Sequence, residues 1–318
     1  MQPDDTLKLT FGFRSTNDKK DAVGGTKVQI RPPCGGPFCW VNVGSQSYSP
    51  KDSWSSSTYR VGVDKYINDD QMVYASMSTG YRAGGFNFGV SSAESYDPEE
   101  LTAFEVGSKN RFNDGRMQLN ATVFYYDYTD LQVFQVVDQT IVIRNASEAD
   151  ISGAELEFVA ALSDRLRVDA SLGILEAEYK KFILPSNLFL DASGEPTDID
   201  VSGNSLINAP KWSGHVGVEY EFAASRHGTF TVRAQTYITD DIYLRALNLD
   251  PFDLQEGYAT WDAKLMWESA DNRWFGEAFI NNWSDEDVIT NQEVTDSGIY
   301  FANLNRPRSW GVVVGVRF

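Results

Sequence analysis

Apolar and polar residues alternate with a period of two along most of this chain. Leu7, Leu9, Phe11 and Phe13 are interleaved with Lys8, Thr10, Gly12 and Arg14. Leu166, Val168, Ala170, Leu172 and Ile174 stand against Arg167, Asp169, Ser171 and Gly173; Trp212, Val216, Val218, Tyr220 and Phe222 stand against Ser213, His215, Gly217, Glu219 and Glu221. Phe230, Val232, Ala234 and Ile238, and then Trp261, Ala263, Leu265 and Trp267, repeat the pattern. Successive side chains of a strand point to opposite faces, so each stretch predicts a strand with one apolar and one polar face. The expected spans are 6–16, 57–68, 71–83, 101–112, 117–130, 149–163, 166–182, 212–223, 228–244, 258–269, 273–287 and 309–318. Most are near the roughly 9–11 residues that a tilted strand needs to cross a bilayer, and the longer ones would rise above its surface.

The connections fall into two classes. Asn68-Asp69-Asp70, Asn113-Asp114-Gly115-Arg116, Ser163-Asp164-Arg165, Ala224-Ser225-Arg226-His227 and Ala270-Asp271-Asn272 are short polar turns. Residues 17–56, 84–100, 131–148, 183–211, 245–257 and 288–308 are long connections, and the two classes alternate strictly. A soluble sandwich has no reason to place every long loop at one end. An antiparallel transmembrane β-barrel does, with short turns toward the periplasm and long loops outside. Aromatic rings near strand ends, as at Trp212, Tyr220, Trp261 and Trp267, suit the headgroup level of a bilayer.

Composition narrows the function. The formal charge of −18 argues against nucleic acid as a partner, since phosphates would be repelled. Aromatics are abundant, with 8 Trp, 15 Tyr and 19 Phe, while no stretch reaches the roughly 20 apolar residues of a membrane helix. The polar, acidic start lacks the basic and apolar regions of a secretory signal. The close pair Cys34 and Cys39 suits a disulfide closing a tight loop in an oxidising compartment.

Several strings resemble TonB-dependent receptors: Tyr74-Ala75-Ser76-Met77-Ser78-Thr79-Gly80-Tyr81-Arg82-Ala83-Gly84-Gly85-Phe86-Asn87, then Tyr96-Asp97-Pro98-Glu99 leading into Phe104-Glu105-Val106-Gly107-Ser108-Lys109. Asn120 to Gln132, Asn145-Ala146, Ile151-Ser152-Gly153-Ala154-Glu155-Leu156-Glu157 and Asn208-Ala209-Pro210-Lys211 follow in order. The final strand, Trp310 to Phe318, resembles the signal by which outer-membrane barrels are recognised, which implies the barrel-assembly machinery as a partner. The resemblance covers essentially the whole chain, read as one barrel unit over residues 1–318. It implies an all-β wall of about twelve strands from a barrel of about twenty-two. The plug that fills such a barrel, the segment that engages the TonB energy complex, and the preceding strands are expected outside this sequence.

The resemblance further implies an outer-membrane receptor for energised uptake of a ferric siderophore or similar large ligand, in contact with membrane lipid and lipopolysaccharide. A complete, smaller passive channel or translocator barrel and a soluble β-sandwich binding protein are the alternatives. Tyr81, Arg82, Phe86 and Asn87, leaving the rim together, are the expected ligand contacts. No catalytic constellation, cofactor or metal site is expected. His215 falls on a polar strand face and His227 in a turn. The i, i+2 acidic pairs Glu155/Glu157, Glu176/Glu178 and Glu219/Glu221 read as hydrated lumen wall. Asp240-Asp241 and Ser284-Asp285-Glu286-Asp287 read as a solvated outer edge. Gly84-Gly85 suggests positive φ where a strand leaves the sheet, and Gly153 a bulge or a close backbone approach.

Overall fold

The computed structural model describes residues 6–30, 41–87, 95–137, 140–184, 197–294 and 300–318. Cys34 and Cys39 lie outside them. Twelve long strands form one antiparallel sheet, each paired with its sequence neighbour. They are β1 (Leu7–Asp21), β2 (Lys51–Asn68), β3 (Gln71–Arg82), β4 (Glu99–Phe112), β5 (Met117–Val137) and β6 (Thr140–Ala161). The second half comprises β7 (Leu166–Lys181), β8 (Trp212–Ser225), β9 (Gly228–Thr239), β10 (Tyr258–Glu268), β11 (Trp274–Asn281) and β12 (Ser309–Val316). No helix occurs among the described residues.

Register carries one apolar face across the whole sheet. Phe11 faces Val61, Val61 faces Met77 and Met77 faces Phe104. The row continues through Leu156 opposite Leu172, Val168 opposite Val218, Val232 opposite Leu265 and Ala278 opposite Val312. Most of these side chains are exposed and the rest, Met77 and Val168, half-buried; a contiguous apolar surface of this extent requires a membrane to cover it. Phe11 is 75% and Trp310 79% exposed, against 41% for Val218 in mid-sheet. The difference is what a second neighbouring strand covers: among the described residues β1 and β12 are the two ends of the pairing order.

The short turns are tight because left-handed backbone is available where it is needed. Asn113 and Asp114 at φ 54° and Gly115 at φ 80° close the β4–β5 turn, and Asn272 at φ 55° helps close β10–β11. At the other end the strands overshoot the bilayer. Residues 131–148, expected as a loop, continue the β5–β6 ladder as far as Val137 opposite Thr140. Both strands therefore run about ten residues past a bilayer crossing, roughly 30 Å. Packing explains this extension: Val133, Ala146, Ala149, Tyr179, Phe182, Leu184 and Val201 form a buried cluster above the membrane band. The long connection 17–56 likewise contains a hairpin of Gly24–Ile30 with Val41–Tyr48, and 288–308 one of Ile289–Val294 with Tyr300–Leu304.

Three sequence expectations need correction or resolution. Neither Gly84 nor Gly85 has positive φ; a Cβ would instead collide with Trp54 at Gly84 and with Tyr96 at Gly85. At Gly153 the ladder is continuous, and the reason for glycine is close approach by the Ile174 carbonyl and the Phe124 ring. Glu176 and Glu178 share the face of Leu172 and Ile174, so they stand outside the barrel above the apolar band, not in the lumen.

Candidate functional site: lumen wall and outer rim

The inward face of β7 to β11 carries a polar rail. Arg233 on β9 donates from Nη1 and Nη2 to Asp169 on β7, at 2.7 and 3.0 Å. The intervening strand offers Gly217, where a Cβ would lie 2.5 Å from Arg233 Nη2 and 2.6 Å from Asp169 Oδ2. Asp169 Oδ2 also lies 3.5 Å from His215 Nδ1. From the other side of the guanidinium, Arg233 Nε donates to Gln235 Oε1 at 3.1 Å, and Gln235 Nε2 donates to Asp262 Oδ2 at 3.2 Å. Asp262 Oδ1 in turn accepts the Asn282 N–H at 2.9 Å. A bidentate arginine–carboxylate pair of this kind fixes both side chains in direction as well as distance.

Shallow depressions flank the rail. One, of about 270 Å³, is bordered by Asn120, Glu157, Asp169, Ser171 and His215. The other, of about 290 Å³, is bordered by Arg233, Gln235, Asp262, Lys264 and Glu277. Their linings offer hydrogen-bonding groups: in the first, Ser171 and His215 are register partners on the lumen face, with His215 Nδ1 directed to Asp169. Among the described residues no group of three His, Cys, Asp or Glu side chains could hold a metal ion. Asp285, in the acidic edge, is paired with Arg308 at 3.2 Å, and Asp241 accepts the Gly257 N–H at 2.7 Å.

At the rim the distant strings of the sequence meet. Asn145 Nδ2 donates to the carbonyls of Asp97 and Asp130 at 3.0 and 2.7 Å, and its Oδ1 accepts the Asp97 N–H at 2.9 Å. Gln132 Nε2 donates to the carbonyls of Asp97 and Ala83, and its N–H donates to Glu99 Oε2 at 2.8 Å. Asn87 is buried and exchanges two hydrogen bonds with the backbone of Ile143, at 2.8 and 2.7 Å. Loop backbone that leaves a sheet loses its ladder partners, and these amide side chains replace them.

The four expected ligand contacts do not converge on one point. Tyr81 and Arg82 occupy opposite faces of β3, as consecutive strand residues must. The Phe86 ring packs on Trp54, with centroids 6.0 Å apart, and Asn87 is committed to Ile143. Arg82 remains exposed, opposite Glu99 in the register. The rail of Asp169, Arg233, Gln235 and Asp262 was not singled out from the sequence. Its signal was there in Gly217, a glycine within a strand whose polar neighbours lie on the same face.

Comparison with known proteins agrees with this architecture. The family model described as TonB dependent receptor-like, beta-barrel matches residues 1–284. The probable TonB-dependent siderophore receptor PiuA of Acinetobacter baumannii is 25% identical over 253 residues, which cover 77% of this chain and 32% of the relative. The pesticin receptor of Yersinia pestis is 23% identical over 256 residues, 79% of this chain and 34% of the relative. The crystal structure of the ferric yersiniabactin uptake receptor FyuA from Yersinia pestis superimposes with a TM-score of 0.76 at 20% identity, covering 99% of this chain and 43% of that one. The chain thus spans about a third of the length of the curated relatives it matches. Barrels of this kind lie in the outer membrane of Gram-negative bacteria. With the model match covering most of its length, and with apolar outer wall, polar lumen and clamped rim in register, the chain belongs to the TonB-dependent receptor β-barrel family.

Proposed function

We propose that the chain forms part of the wall of an outer-membrane receptor for energised uptake of a ferric siderophore or similar large chelate. The observation that carries this reading is the sheet itself: one unbroken apolar face for lipid and, behind it, a hydrogen-bonding lumen with a rigidly tied outer rim. The names of relatives support the ligand class, since they include a probable siderophore receptor, a pesticin receptor and a metal-pseudopaline receptor. On this reading residues 1–318 are one barrel unit, and the TonB complex acts through a segment outside this sequence. Arg82 is the exposed rim residue of the expected four, placed to meet an anionic chelate; Tyr81, Phe86 and Asn87 would contribute to the loop framework around the rim. The Cys34–Cys39 disulfide would close an outer loop, and Trp310 and Phe318 would serve assembly.

The test is growth of an iron-starved strain whose receptor gene contains this chain, supplied with single ferric chelates. One chelate should support growth only when the energy complex is intact, and Arg82→Ala should raise the concentration required. Growth that is indifferent to the energy complex, together with resting ion conductance in planar bilayers, would make the barrel a passive channel.

A further inference from the structure

The periplasmic end of the β7–β12 half carries a row of arginines that form no close ion pair among the described residues. Arg165, Arg226 and Arg273 stand in the turns joining β6 to β7, β8 to β9 and β10 to β11. All three are exposed, and among the described residues none lies within ion-pair distance of a carboxylate. Two of the acids beside them are paired elsewhere, Asp164 with Arg116 at 3.2 Å and Glu268 with Arg317 at 2.8 Å, while Asp271 accepts from Ser269 Oγ at 2.6 Å and from the Arg273 N–H at 3.2 Å. Turns two strands apart repeat at roughly 10 Å, so the guanidinium groups form a spaced line along the rim.

Directly above this line, on the lipid side, lies an aromatic ledge. Phe222, Phe230 and Trp267 adjoin across three strands, with centroids 5.9 and 6.4 Å apart. Trp267 Nε1 donates to the carbonyl of His227 at 2.9 Å, tying the ledge to the Arg226-His227 turn, and Trp274 follows on β11. Three exposed arginines in successive short turns stand out in a chain of net charge −18. Rings that settle at the headgroup level place these arginines at the depth of lipid phosphates.

We propose that this rim is a binding surface for anionic glycerophospholipids of the periplasm-facing leaflet, with Arg165, Arg226 and Arg273 on the phosphates and the Phe222–Phe230–Trp267 ledge against the upper acyl chains. The surface is independent of which ligand the receptor imports. It fixes the depth and tilt of this half of the barrel.

The test places the protein in nanodiscs of mixed phosphatidylcholine and phosphatidylglycerol, with one of the two brominated on its acyl chains at a time to quench nearby tryptophans. At equal mole fraction, brominated phosphatidylglycerol should quench more strongly, each arginine favouring it by up to about fivefold at low salt. The triple variant Arg165→Gln/Arg226→Gln/Arg273→Gln, with its fold checked by circular dichroism, should quench equally with either lipid. Arg308→Gln at the opposite end should keep the preference. Equal quenching of the unaltered protein, as expected if the row serves a soluble acidic partner, would overturn the proposal, as would a preference that survives the triple variant.

Discussion

Arg233 holds Asp169 across a strand to which neither belongs, with both terminal nitrogens 2.7 to 3.0 Å from the two carboxylate oxygens. The reach succeeds because Gly217, between them on β8, has no side chain. Gly217→Ala should therefore displace the pair at a cost of about 1–2 kcal/mol, a magnitude kept modest because the pair is partly hydrated. Urea unfolding in detergent micelles measures it. In an Asp169→Ala background the same substitution should cost much less, because the obstruction has gone with the carboxylate. Additive costs would show that the glycine serves the strand and not the pair.

Gly153 and Gly311 look alike in sequence and should behave differently. Each faces an aromatic ring on the adjacent strand, and a Cβ at either would lie 2.7 Å from a ring carbon, of Phe124 and Phe279 respectively. At Gly153 the Ile174 carbonyl also blocks the space, and backbone cannot swing aside. Gly153→Ala should cost about 2–3 kcal/mol, and Phe124→Ala should not rescue it. Gly311→Ala should be restored largely by Phe279→Ala. Thermal loss of the folded form, followed by gel mobility, compares the four variants.

The contrast shows where the sequence was readable. The wall was legible because burial in lipid forces strict alternation: Val216, Val218 and Tyr220 admit only one face. The strand ends were less so, since β5 and β6 continue past the bilayer on contacts with Tyr179 and Phe182, which lie far along the chain. The lumen rail was hidden for a related reason. Asp169, Arg233 and Asp262 are ordinary polar positions until register sets them side by side, and register over four strands is not written in any one of them. At the rim the strings around Asn87, Asp97 and Asn145 were visible, but their role was not. Asn87 looked available to a ligand and is in fact spent on the backbone of Ile143.

That commitment is measurable. Asn87→Ala leaves the N–H and carbonyl of Ile143 without their partners, at a cost of about 1–3 kcal/mol if they stay buried. Hydrogen exchange at Ile143 should quicken while exchange in the β7–β9 ladders is unchanged. Asn87→Asp keeps the acceptor for the Ile143 N–H but loses the donor to its carbonyl, so protection should fall only in part. Full protection in Asn87→Ala would mean that other contacts hold the loop.

A last prediction concerns acid. In the β10–β11 turn the Ser269 hydroxyl, donating at 2.6 Å, holds the Asp271 carboxyl below its ordinary value of 3.8, with the Arg273 N–H adding to the effect. A carboxylate whose pKa is lowered by folding stabilises the fold at all pH values above the unfolded one. That contribution fades as pH falls through the lowered, folded value. The turn should thus be indifferent to pH across the neutral range and loosen only below 3.8. Carbon-detected NMR titration of Asp271 should show a midpoint under that value, and Ser269→Ala should move it upward. A midpoint unmoved by Ser269→Ala would assign the effect to the Arg273 N–H and charge instead. In that case replacing Ser269 should leave the acid stability of the turn intact.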